Sequence, residues 1–201
     1  VWRIVINASC ALGVCLVCAQ GCAPSGGVGD PCIPEQEYDP VFLGFDPGEV
    51  SVESQSFQCR TRLCLVNHFR GRVTCPYGQD AMGTAPAGDP FGPCVVPGTT
   101  TPITGNAAVD PQCVDRPSQS AVYCSCRCAN PDWETNDGAI YCPCPSGFSC
   151  TQLITPIGDT DPDLAGAYCI KQGTTYEASS ACDLPCDPTI TTQNCPPAPI
   201  D

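Results

Sequence analysis

The sequence predicts a small disulfide-rich fold: short β-hairpins and loops with little helix, in two cysteine-stapled blocks. Three observations lead there. Cysteine is abundant, 20 in 201 residues. Proline and glycine number 23 and 19, which disfavours regular helix and long strands alike. Large aliphatic residues are scattered rather than gathered into long periodic runs, so each cysteine cluster is expected to cover a small core that needs covalent help.

The first element is an apolar run. Arg3 precedes apolar residues from Ile4 to Cys18, broken only by Asn7 and Ser9. That run of about 15 residues is short of the roughly 20 a spanning helix needs. A positive start, a short apolar core and small residues at its end describe a secretory signal peptide over residues 1–21. The run closes on "AQGC", Ala19 to Cys22. This resembles a bacterial lipobox, in which a small residue precedes an invariant cysteine. The resemblance implies that Cys22 carries a diacylglycerol on sulfur and begins the mature chain. Ala19 stands where the family prefers Leu, and Gln20 where it prefers a small residue. The alternative is a secreted protein whose Cys22 joins a disulfide. Residues 22–31, with "APSGGVGD", read as a flexible lipidated tether.

Beyond residue 21 the chain holds 7 basic and 21 acidic residues, a net charge of −14. Such a surface repels nucleic acid, so no DNA or RNA partner is expected. It suits a solvated exterior or one that attracts cations.

Sixteen cysteines follow Cys22: Cys32, Cys59, Cys64, Cys75, Cys94, Cys113, Cys124, Cys126, Cys128, Cys142, Cys144, Cys150, Cys169, Cys182, Cys186 and Cys195. An even number behind a signal peptide reads as eight disulfides. The parity also supports the lipobox, since an unmodified Cys22 would leave an odd thiol. Connectivity stays open, because sixteen cysteines allow on the order of two million pairings.

Residues 32–80 form the N-terminal cysteine-rich block. "EYDPVFLGFDPGEV" carries two Asp-Pro breaks and reads as short extended pieces. "SFQCRTRLCLVNHFRGRVTC", Ser56 to Cys75, reads as a β-hairpin turning at Arg70-Gly71. Residues 81–112 are rich in Pro, Gly and Thr and read as linker and loop. The second block spans 113–173. Within it, Cys124, Cys126 and Cys128 would share one face of a strand, with Cys142 and Cys144 returning after an Asn136-Asp137-Gly138 turn. Residues 174–201 form a cysteine-stapled tail. "CPCPSGFSC" is similar to the end of an EGF-like module at Cys142, Cys144, Gly147 and Phe148, although Cys150 comes too early.

Candidate chemistry is sparse. Asp159, Asp161 and Asp163 alternate as calcium-loop ligands do, but Pro162 intrudes and the rest of an EF-hand loop is missing. Asp132, Glu134 and Asp137 offer a second weak calcium candidate. The Cys-x-Cys-x-Cys and Cys-x-Cys runs also suit thiolate metal, although exported thiols oxidise. Arg60, Arg62, Arg70 and Arg72 hold four of the seven basic charges and form a candidate anion patch. The competing reading pairs them with Glu35, Glu37, Asp39, Asp46, Glu49 and Glu53. With one histidine, His68, and no Gly-x-Ser-x-Gly elbow, no enzyme is expected.

Taken whole, an acidic, cysteine-rich body behind a lipobox resembles cysteine-rich bacterial lipoproteins of the myxobacterial type. The resemblance implies a structural or partner-binding module of the cell envelope, at the outer membrane or secreted. Its expected partners are the membrane, through the lipid, and an envelope protein or glycan. No cofactor is expected except, as the alternative reading, calcium or thiolate metal.

Overall fold

The computed structural model describes residues 27–103, 107–154, 164–178, 182 and 184–190. The signal segment, Cys22, the aspartates Asp159, Asp161 and Asp163, and Cys195 lie outside the described residues. Among those described, no helix is long and apolar enough to cross a membrane.

Two three-stranded antiparallel sheets carry the fold. The first comprises β1 (Val50–Glu53), β2 (Leu63–Asn67) and β3 (Val122–Ser125), in the order β1-β2-β3. The second comprises β4 (Arg127–Ala129), β5 (Phe148–Ile154) and β6 (Gly166–Lys171), in the order β4-β6-β5. Among the described residues, helix is confined to a 3-10 turn, Glu35–Tyr38, and one α-turn, α1 (Ser118–Ala121). The small disulfide-rich class is therefore the one observed.

Sequence explains which strands are central. β2 reads Leu-Cys-Leu-Val-Asn, and its last four residues are all buried. A strand covered on both faces suits a central position. β6 is likewise buried from Gly166 to Ile170. β5 instead alternates at its start, Phe148 and Cys150 inward and Ser149 and Thr151 outward, as a half-exposed edge should. Leu65, Tyr123, Tyr168 and Ile170 form one buried cluster joining the two sheets. The Tyr123 hydroxyl accepts the Lys171 N–H at 2.9 Å across that join.

Two expectations are corrected. Residues 56–75 do not fold into a hairpin: β2 pairs with β1 upstream and β3 downstream. Gly71 bridges to Phe45 instead. It has φ +81°, and a Cβ there would run into the Asp110 carbonyl, so the chain at this point is pinned against another segment. The Cys-rich run does not make one strand either. It changes sheet at Cys126, and no strand is assigned from Cys142 to Gly147. The second sheet's hairpin partners are β5 and β6. Residues 81–112 hold no strand or helix among those described, yet part of the segment is buried. Val96, Ile103 and Val109 are buried with Cys75 and Cys94 in a small core of their own. Gln79 pairs with Val109 and Val95 with Pro102 there. Widely spaced apolar residues in a Pro/Gly background carry no periodicity, so this core left no pattern to read. The tether is also partly docked: Gly29 N–H donates to the Cys124 carbonyl and Cys124 N–H to the Asp30 carbonyl, both at 2.8 Å.

Seven disulfides join described residues: Cys32–Cys64, Cys59–Cys124, Cys75–Cys94, Cys113–Cys182, Cys126–Cys142, Cys128–Cys150 and Cys144–Cys169. Cys186 is also disulfide-bonded, so all fifteen described cysteines are oxidised. The first two bridges hold the first sheet and the last three the second. Within "CSCRC", Cys124 is thus bonded to the first sheet's side and Cys126 and Cys128 to the second's.

Candidate functional site

A concavity lies between the 3-10 turn and β1. Its placement begins with a buried ion pair. Glu37 and Arg72 are both fully buried, with Arg72 Nε 3.9 Å from Glu37 Oε2. Arg72 also donates to the Glu37 carbonyl, and to the Phe42 carbonyl at 2.7 Å. The Glu37 carboxylate accepts the Val73 N–H at 2.6 Å, the Thr74 N–H at 3.0 Å and the Thr74 hydroxyl at 2.6 Å. Pro34 fixes the turn's start, and Asp39, which precedes Pro40, is extended and ends it.

With Glu37 turned inward, Glu35, Gln36, Tyr38 and Asp39 face across a cleft of about 740 Å³ to Val52, Glu53, Ser54 and Gln55. Two bonds set its width: Glu35 N–H to Glu53 Oε2 and Gln36 Nε2 to Ser51 Oγ, each 3.0 Å. A pocket of about 280 Å³ continues it past Ile33, Gln58 and Phe57. Phe57 is 90% exposed and Tyr38 46%. The Arg62 guanidinium stacks 4.2 Å from the Phe57 ring centroid. Burial pushes the Glu53 carboxyl above its ordinary value, and the nearby Glu35 charge adds to the rise, against the Glu35 N–H and Arg62. The lining is thus aromatic at its rim and rich in carboxylate and amide groups within, able to grip hydroxyl or amine donors.

The four arginines of the candidate anion patch do not converge. Arg72 is withdrawn into the core. Arg70 pairs with Asp110 at 3.2 Å, Arg62 lies over Phe57, and Arg60 is exposed. The pairing of Arg72 with Glu37 is of the kind the competing reading named.

Asp132, Glu134 and Asp137 sit on an exposed loop. Asn130 organises it by accepting the N–H groups of Asp132 (3.0 Å) and Glu134 (2.7 Å). Asp137 accepts the Tyr141 hydroxyl at 2.6 Å, the Ala139 N–H at 3.0 Å and Asn130 Nδ2 at 3.1 Å. Those bonds, the Tyr141 hydroxyl first, hold its carboxyl below the usual range. The groups of three or more metal-ligand atoms within 4.8 Å of one another, among the described residues, are cysteine trios whose sulfurs are in disulfides.

Sequence reasoning missed Arg116. It is 5% exposed and donates to three backbone carbonyls: His68 at 2.7 Å, Asn67 at 2.5 Å and Thr174 at 2.9 Å. It thereby ties the end of β2 to the segment after β6. His68 stacks on Tyr176 with ring centroids 3.9 Å apart, and its Nδ1 lies 2.9 Å from the Pro47 carbonyl. The one available signal was an arginine isolated from the others in an acidic chain.

No protein-family model, curated protein or solved structure matches the chain.

Proposed function

We propose that this chain is an exported cell-surface lipoprotein of the bacterial envelope, anchored through Cys22, whose disulfide-stapled body binds an envelope glycan. The observation that supports export is the complete oxidation of the fifteen described cysteines, a state that persists in oxidising compartments. The lipid anchor rests on the "AQGC" sequence. The cleft between Glu35–Tyr38 and β1 is the binding face. Its carboxylates and amides suit paired sugar hydroxyls, and Tyr38 and Phe57 offer rings for the apolar faces of a sugar.

Retention of the purified protein on isolated envelope polysaccharide tests this. Wild type should be retained. Phe57→Ala and Glu53→Gln should each weaken retention roughly tenfold, equivalent to about 1.4 kcal/mol. Unchanged retention in both variants would remove the cleft from the proposal, and no retention of wild type would remove the glycan.

A further inference from the structure

Three disulfides of the second sheet crowd together. Cys126 Sγ lies 3.6 Å and Cys142 Sγ 3.8 Å from Cys169 Sγ, although Cys169 is bonded to Cys144 and Cys126 to Cys142. Cys128 and Cys144 also lie within 4.8 Å of Cys169. The bridges divide by exposure. Cys126, between β3 and β4, Cys128 in β4 and Cys169 in β6 are buried, whereas Cys142, Cys144 and Cys150 are partly exposed. Each of the three bridges therefore joins one buried cysteine to one partly exposed cysteine.

We infer that this cluster is a thiol-exchange site, with Cys142-Pro143-Cys144 as the surface dithiol it releases. Its substrates are small thiols or the thiols of a redox partner. This goes beyond the glycan reading and does not depend on the anchor. An external thiolate attacks Cys142 Sγ, forms a mixed disulfide there and expels the Cys126 thiolate. Cys126 then attacks Cys169 Sγ, making a Cys126–Cys169 bond, and the electron pair of the broken bond leaves on Cys144. A second external thiolate resolves the mixed disulfide at Cys142. In sum, two thiols become one disulfide, Cys142 and Cys144 become thiols, and the buried sulfurs stay bridged.

The geometry favours this route over simple opening. The 3.6 Å separation is close to the roughly 3–3.5 Å of reacting atoms poised for attack. Cys169 N–H donates to the Cys126 carbonyl at 3.0 Å, so the two residues that would bond already sit on neighbouring backbone. The released thiols lie on the segment where water can solvate a thiolate.

Titration of the oxidised protein with dithiothreitol tests the inference, followed by maleimide trapping and mass mapping of peptides. The first thiols trapped should be Cys142 and Cys144, accompanied by a new Cys126–Cys169 bridge. Trapping of a bonded pair, such as Cys126 with Cys142, without any new bridge would overturn it. So would first opening at Cys32–Cys64, Cys59–Cys124 or Cys75–Cys94. An equal yield of the Cys126–Cys169 bridge from the chain titrated in denaturant would overturn it too, because folded proximity would then have no part.

Discussion

Arg116 shows how much one side chain can organise in a protein with little regular structure. Its guanidinium satisfies three carbonyls from two separate segments, and burial lowers its pKa. A lysine carries the charge but not the planar fork that reaches all three. Arg116→Lys should therefore lower stability by about 2–3 kcal/mol, the scale of charged hydrogen bonds lost in a buried site, and a denaturant melt measures it. His68 gives a pH signature. Burial, foremost, holds its imidazole below 6.5, with the Arg116 charge adding to the fall and the Pro47 carbonyl opposing it. The unfolded chain then binds this proton more tightly than the folded one. His68 contributes stability that is present above pH 6.5 and lost as pH falls through the lower folded value. His68→Phe keeps a ring for the Tyr176 stack and cannot titrate. Its melting temperature should fall less steeply below that pH than that of wild type; parallel slopes would contradict the assignment.

Among the elements, the bridges decide what the strands do. In the first sheet Cys64 lies directly opposite Cys124, and in the second Cys150 opposite Cys169. Neither opposed pair bonds. Each of the four cysteines reaches out to a different segment, three to loop cysteines and Cys150 across β6 to Cys128 in β4, instead of doubling a contact the ladder already makes. This is why pairing was not legible. Alternation put Cys124, Cys126 and Cys128 on one strand face, but the change of sheet at Cys126 sends Cys124 to Cys59 and its neighbours to the second sheet. The fold class was legible because composition alone limits helix and demands bridges. The cleft was not, because it depends on Glu37 turning inward, and an acidic residue in "EQEY" carries no sign of burial. Replacing Cys59 and Cys124 together by alanine should cost about 2–4 kcal/mol and weaken amide-exchange protection in β2 and β3. Gly71→Ala should destabilise by about 1–3 kcal/mol. It would need a left-handed alanine with its methyl against the Asp110 carbonyl. A melt unchanged by either substitution would contradict the role given to that contact.

At the scale of the whole molecule, two small sheets and a separate core around Val96, Ile103 and Val109 share one chain. None of these cores is large. Covalent closure takes the place of a large apolar interior, and an acidic surface with a net charge of −14 after residue 21 keeps the body solvated. Such a body tolerates an exposed ring like Phe57 beside its cleft because the backbone under it is fixed by bridges. The exported, lipid-anchored, fully oxidised state is the central claim. Its most direct test is the intact mass of protein isolated from membranes, taken before and after reduction with alkylation. The predicted result is a chain that begins at Cys22 with acyl groups attached and takes up alkylating reagent only after reduction. A chain without lipid, or cysteines that react before reduction, would contradict it.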